Sequence, residues 1–257
     1  MRTCFRYPPG RPSVRWGAPY TDGLVALYTM SETGGLVVAD ATGKCANGEL
    51  KNGATLGLGT LGPRAVLASS GSRYISVPHT AASPLNITGD ITVMVAFRYV
   101  AQNVRNPLAT KMDNGSFGYY LDITSTPSLR MMCNVTSVAN PGAVANINPA
   151  LNTVHVAAGT VQGTTARCYL NGVQQASGSV EPVPSIAQPF AIGARPAYDS
   201  VCIDATVYWV AVWNKAYPQA VAALRDLNSV LDLLVSPAQW LYTGMGSGEY
   251  TPIEVMG

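Results

Sequence analysis

Val154–His155–Val156–Ala157–Ala158, the turn Gln162–Gly163–Thr164–Thr165, and Ala166–Arg167–Cys168–Tyr169–Leu170 closed by Asn171–Gly172 form the stretch whose reading decides the fold. Two apolar runs flank a glycine turn. Asn-Gly then follows, and both residues accept the positive φ that a two-residue hairpin turn requires. Beyond a proline-broken loop come Phe190–Ala191–Ile192–Gly193 and the run from Asp204 to Trp213. That run is rich in β-branched and aromatic residues and too short to cross a bilayer. It reads as a strand buried on both faces.

Strand signals continue upstream. Gly23–Leu24–Val25–Ala26–Leu27–Tyr28, Leu36–Val37–Val38–Ala39–Asp40 and Arg73–Tyr74–Ile75–Ser76–Val77–Pro78 each read as short strands. From Asp90 to Val100, Ile91, Val93, Val95, Phe97 and Tyr99 alternate with Thr92, Met94, Ala96 and Arg98, the period of a half-buried strand. Pro107–Lys111, Gly118–Ile123 and Leu129–Asn134 then form a meander, whereas Asn52–Gly53, Gly57, Gly59 and Gly62 read as punctuation. Turn signals recur roughly every 8–12 residues, as in an antiparallel sandwich. One helix is expected late. Pro218 suits a first helical turn, and Val221, Leu224, Leu227, Leu231 and Leu234 form an apolar stripe that Ser236–Pro237 ends.

Charged residues are 12 % of the chain and apolar ones 47 %, against a usual charged share of about 25 %. Such a surface suits a protein packed against partners. Cys4, Cys45, Cys133, Cys168 and Cys202 include no C-x-x-C pair, so zinc and dithiol redox motifs are unsupported. The thiols read as free and buried, folded in a reducing cytoplasm. Phe5–Arg6–Tyr7–Pro8–Pro9 interrupts any signal-peptide core, and no apolar stretch has membrane-helix length. Asn86–Ile87–Thr88 and Asn134–Val135–Thr136 match the glycosylation sequon by chance on this reading.

The first twenty residues differ from the rest. Arg2, Arg6, Arg11 and Arg15 precede the first acid, Asp22, and give this arm +4; the remaining chain has 12 basic against 14 acidic residues. Pro8, Pro9, Pro12 and Pro19 keep it extended. Arg2, Phe5, Arg6, Tyr7, Arg11, Arg15 and Trp16 are the candidate partner-docking residues, since arginine and aromatic side chains dominate interface hot spots. Four charges without a binding motif argue against nucleic acid.

The ordered set Gly23–Tyr28, Asp40–Ala41–Thr42–Gly43, Ile75–Ser76–Val77–Pro78, Gly89–Phe97, Val154–His155–Val156–Ala157, Tyr169–Leu170–Asn171–Gly172, Ala191–Arg195 and Val210–Asn214 resembles a laminin G-like domain. These are concanavalin A-type jelly rolls. The resemblance spans about residues 22–226. It implies an all-β fold of two stacked antiparallel sheets, with one C-terminal amphipathic helix and extended terminal arms. The family it implies binds glycans, proteins or calcium, or serves in virions. Pro237–Ala238–Gln239–Trp240–Leu241 resembles a segment that follows the helix in bacteriophage members.

On the glucanase branch of that fold, the resemblance implies a Glu-x-Asp-x-x-Glu strand carrying a nucleophile and an acid. No such spacing occurs: Glu32, Glu49, Glu181, Glu249 and Glu254 are isolated, and Asp122 has no second carboxylate within five residues. His79 follows a proline in a turn. His155 alternates with core valines, and neither has a metal-ligand neighbour. Calcium, which laminin G-like domains can hold, leaves two candidate pairs, Asp40 with Asn47 and Asp113 with Asn114, weighed against plain turn support. Trp209 and Trp213 read as core, and Trp240 as core or platform.

The expected organisation is a basic docking arm at 1–21, a sandwich at 22–216, a helix with the Trp240 segment at 217–242, and a Gly-rich tail at 243–257. The function expected is a non-enzymatic virion structural protein, a phage capsid decoration protein made in the host cytoplasm and requiring no cofactor. Its arms would grip the major capsid protein or neighbouring copies, giving a homo-oligomer with no membrane partner. The alternative is a glycan- or receptor-binding module of a phage tail or fibre.

Overall fold

The computed structural model describes residues 13–235, except 33, 103–104, 113–117, 127, 134–141 and 196–197. In chain order the strands are β1 (Leu24–Tyr28), β2 (Val37–Val38), β3 (Gly48–Lys51), β4 (Thr55–Gly59), β5 (Gly62–Leu67) and β6 (Tyr74–Val77). Next come β7 (Ile91–Ala101), β8 (Arg105–Met112), β9 (Gly118–Thr124), β10 (Leu129–Cys133), β11 (Ala143–Ala145) and β12 (Val154–Gln162). Last are β13 (Thr165–Leu170), β14 (Val173–Ser179), β15 (Phe190–Ile192), β16 (Ala194–Arg195), β17 (Tyr198–Cys202) and β18 (Asp204–Trp213), then helices α1 (Pro218–Ala223) and α2 (Ser229–Leu234).

Two antiparallel sheets stack as a jelly-roll sandwich, as the sequence led us to expect. The first has the order β14-β13-β12-β7-β18-β5-β4, and the second β11-β10-β9-β8-β15-β6-β3-β2. The apolar run of β18 is the spine of the first sheet. Along one side it pairs with β7; along the other its start pairs with β5 and its end with β1. The β8–β9–β10 meander forms as read. Asn171 and Gly172 take φ of +50° and +79°, and the turn joins β13 to β14, which pair from Leu170–Val173 outward. The punctuated glycine segment is itself a hairpin, β4–β5. Glycines gave no side-chain alternation there, so the strand was illegible.

The space between the sheets is filled by one apolar cluster, including Tyr28, Val95, Phe97, Leu121, Ile192 and Val207. A second cluster explains why β7 is not half-buried. Met94 and Ala96 lie on its outer face, yet both are fully buried together with Trp209, Trp213, Val14, Val221, Leu224 and Leu234. The outer face of the first sheet is thus roofed by Val14 and Tyr20 from before β1 and by residues between Tyr217 and Val235. Val14 forms an antiparallel bridge with Val235, and Trp213 Nε1 donates to Tyr20 O at 2.8 Å. Within the arm expected over 1–21, Val14 and Tyr20 pack on the sandwich's own first sheet, Arg15 and Trp16 stay exposed, and residues 1–12 lie outside the described residues.

The expected single helix is split. α1 ends at Ala223 with Leu224 as its C-cap, and Asp226 Oδ1 accepts the N–H groups of Asn228 and Ser229 at 3.0 Å each, starting a new turn. An Asx side chain that satisfies its own backbone competes with helix continuation. The apolar stripe survives the break, because Val221, Leu224 and Leu234 still face the sheet.

Candidate ligand-binding cleft

The turn chemistry that ends α1 also builds a cleft. Its walls are the start of β12 (Val154, His155, Val156), the hairpin tip Asn171, and the inter-helix residues Arg225, Asp226, Leu227 and Asn228, around a volume of about 650 Å³. Drug- and sugar-sized ligands occupy clefts of roughly 300–1,000 Å³. Asn171 Oδ1 accepts Val156 N at 2.9 Å, which turns Nδ2 toward His155 Nδ1 at 3.4 Å. His155 Nε2 lies 3.1 Å from Ala150 O. Contacts at both ring nitrogens hold the imidazole as a fixed polar wall. Trp209 Nε1 donates to Leu227 O at 3.0 Å and pins the opposite wall to the sheet.

The sequence reading made His155 a strand residue, and it lies in β12 at 7 % exposure. It missed Asn171 as a wall, and also Arg225, Asp226 and Asn228. The signal was present: Asp226–Leu227–Asn228–Ser229 is a turn motif inside a helical pattern.

Other candidate residues resolve differently. Asp122, which has no second carboxylate near it in sequence, has a cationic partner. It takes Arg130 Nε at 2.8 Å on one oxygen and Nη2 at 2.5 Å on the other, on the outer face of the second sheet. The Arg130 guanidinium lies 5.7 Å from the Tyr120 ring centre. Asp40, a calcium candidate, accepts from Leu27 N, Thr42 N, Thr42 Oγ1, Lys44 N and Cys45 N, while its own N–H donates to Asn47 Oδ1. Its carboxylate is saturated by the loop it folds, so the turn-support reading holds for this pair. Asp113 and Asn114 lie outside the described residues.

His79 Nδ1 is 3.4 Å from Lys111 Nζ, and that amine also donates to the carbonyls of Ile186 and Gln188. Burial pushes the Lys111 amine down to about 8. Cys45, Cys133, Cys168 and Cys202 are free thiols. Burial, then the Asp40 charge, pushes Cys45 up to about 12, and burial raises Cys168 to about 11 and Cys133 higher still. Thiols so placed stay protonated and inert. The amide of Asn86 is tied to Thr80 O and Ala81 O.

Of the docking residues, Arg15 and Trp16 are described. Arg15 is exposed; Trp16 is 49 % exposed with Lys44 Nζ 4.2 Å from its ring centre. Arg2, Phe5, Arg6, Tyr7 and Arg11 lie outside the described residues, as do Cys4, Ser236–Pro237, Trp240 and the Gly-rich tail.

Two stacked sheets of this order, with a polar cleft at one end, define a jelly roll of the concanavalin A type. The chain belongs to the concanavalin A-like lectin/glucanases superfamily, whose sequence model matches residues 69–221. Among solved structures, it is similar to domain 4 of AbnA, an extracellular arabinanase of Geobacillus stearothermophilus solved with arabinotriose. The TM-score is 0.59 at 15 % identity, over 79 % of this chain and 98 % of that one. It is also similar to the binding domain of paraclostridial mosquitocidal protein 1 (TM-score 0.59, 17 % identity, 82 % of this chain and 53 % of that one). The binding domain of botulinum neurotoxin serotype D/C is a third likeness (TM-score 0.58, 15 % identity, 81 % and 52 %). The chain thus spans about half of each toxin domain. At these identities the likeness is one of fold. A comparison with curated protein sequences gave no match.

Proposed function

We propose that this chain is a non-catalytic glycan-binding module whose ligand sits in the cleft between β12, the Asn171 tip and residues 225–228. The observation that carries it is the cleft's chemistry. Asn171, Arg225, Asp226 and Asn228 line the cleft beside the apolar walls of Val154, Val156 and Leu227. Sugars present both hydroxyls and C–H faces, and such a mixture meets both. Support for the ligand class comes from the arabinanase domain, which was solved with a bound oligosaccharide. The non-enzymatic part of the reading rests on the commitment of Asp122 to Arg130 and on thiols held protonated.

The test is a glycan array followed by calorimetry on the full chain. Saturable binding is expected, weakened about tenfold or more by Arg225→Ala and by Asn228→Ala, a loss of about 1.4 kcal/mol. Binding unaffected by both variants would remove the cleft from the account. Release of reducing sugar would remove the non-catalytic part.

The particle-bound reading is kept as a second proposal, favoured by the 12 % charged content and by the exposed Arg15 and Trp16 beside the Val14–Val235 bridge. In it, Arg2, Phe5, Arg6, Tyr7 and Arg11 dock on a virion protein or a neighbouring copy. A truncation removing residues 1–12 tests it without stripping Val14 from the core. Loss of particle incorporation is the expected result, and undiminished incorporation would end this reading.

A further inference from the structure

A β-bulge in β18 sets up a second polar site. Register runs Val207 opposite Phe97 and Trp209 opposite Ala96, so Tyr208 is the extra residue. It puts two consecutive rings, Tyr208 and Trp209, in the cluster on the outer face. On the same face, Arg98 of β7 lies opposite Thr206, and Thr206 lies opposite Val66 of β5. Ala65 and Leu67 point into the sandwich, so Arg64 points outward with Val66. Val207 pairs with Ala65, which stands Tyr208 beside Arg64.

Two guanidinium groups therefore flank one phenol. A Cβ on Gly59 would meet Arg64 Nη1 at 2.5 Å, so the bare backbone of the edge strand β4 is what lets Arg64 lie down across it. Arg64 Nε and Arg98 Nε are both buried and have no hydrogen-bond partner. The ion pairs Lys51–Glu49, Arg130–Asp122 and Lys215–Asp22 do not involve these arginines. Asp204, at the start of the same strand, accepts from Ser69 N and Oγ. Burial pushes the Tyr208 hydroxyl up, while Arg98 and Arg64 pull it back, so both charges act on the ring's oxygen. Buried donors are nearly always paired, and two unpaired ones around one hydroxyl call for an acceptor.

We propose that Arg64, Arg98 and the Tyr208 hydroxyl form an oxyanion-binding site on the outer face of the first sheet. The arginine fork fits a planar carboxylate or a phosphate by paired N–H donation, and the phenol adds a third donor. The acceptor chemistry is shared by a carboxylate-bearing sugar and by free phosphate. The site adjoins the cleft, since Arg98 lies across the strand pair from Val154, one of the cleft's walls, but its anion chemistry does not depend on the glycan reading.

The test titrates inorganic phosphate, D-glucuronate and D-glucose separately into the full chain at constant ionic strength, read by calorimetry. Saturable binding of one or both anions, and none of glucose, is expected. Binding of glucuronate alone assigns an acidic sugar, and binding of phosphate in preference assigns a phosphate. Arg64→Gln and Arg98→Gln should each weaken binding at least tenfold, and Arg73→Gln, an equal charge change elsewhere, should not. Arg98→Lys keeps the charge but loses the fork, so it should also weaken binding. Variant melting curves verify folding. The proposal falls if neither anion saturates, if Arg73→Gln weakens binding as much, or if Arg98→Lys binds like the parent.

Discussion

Trp209 donates its indole N–H to the carbonyl of Leu227 at 3.0 Å, so a fully buried ring of the central strand fixes the loop between the helices. That bond joins the sandwich's spine to the wall of the cleft. Trp209→Phe keeps most of the ring and removes the donor, leaving a carbonyl without its partner. Stability should fall by about 1–3 kcal/mol, read as a lower urea midpoint at unchanged slope. A midpoint equal to the parent's would mean that the loop holds without the bond.

The hairpin tip faces α1 at close range. A Cβ on Gly172 would stand 2.7 Å from Arg225 Cβ, at φ +79°. Gly163, at φ +56°, has nothing within 4 Å. Gly163→Ala should cost about 1–2 kcal/mol for the left-handed backbone alone. Gly172→Ala should cost about 1–3 kcal/mol more, from overpacking against the helix. Equal losses in thermal denaturation would show that the helix yields freely.

Asp122 and Arg130 make a pair with side-chain exposures of 2 % and 15 %. Arg130→Met should destabilise by about 3–5 kcal/mol, because it strands a buried carboxylate. The double change Asp122→Asn with Arg130→Met should cost less than that single change. A double variant worse than Arg130→Met alone would contradict a penalty caused by the unpaired charge.

The thiols set an alkaline limit. Folded Cys45 and Cys168 sit at about 12 and about 11, against 9.0 for a free thiol. Above pH 9 the unfolded chain releases protons that the fold retains. This stability is complete below pH 9 and is lost as pH rises toward 11 to 12. At pH 8 a thiolate-specific reagent should label the four described thiols slowly in the native state and quickly in denaturant. Rapid native labelling of Cys45 would overturn this.

Lys111 has the opposite sign. Its folded value of about 8 lies below the ordinary 10.5, so between these the unfolded chain binds more protons and stability rises with pH. Lys111→Met should flatten that rise in melting curves taken from pH 7 to 10. A parent and variant that change in parallel would place the titration elsewhere.

Strands with side-chain signatures were legible. The apolar runs of β12, β13 and β18 and the Asn171–Gly172 turn carry local preferences strong enough to read directly. The β4–β5 hairpin was not, since Leu56 and Leu58 alternate only with the turn-forming Gly57 and Gly59, and no β-branched residue follows Thr55 in β4. The helix stripe was legible, but its break at Asp226 was not weighed against the leucine spacing. Of the candidate site, Asn171 was seen as a turn and His155 as a strand residue. That they share a cleft with Arg225 and Asn228 depends on how the hairpin tip meets α1.

The amino-acid order alone determined that this chain folds as a β sandwich, because periodicity and turn residues act over a few neighbours; of the described thiols it read as buried, Cys133, Cys168 and Cys202 are so and Cys45 is half-buried. Tertiary structure decided which strands pair, where Tyr208 bulges, and that Arg64 and Arg98 share a face although 34 positions separate their numbers. Register across a sheet is fixed by the summed fit of distant side chains, and no local preference encodes that sum.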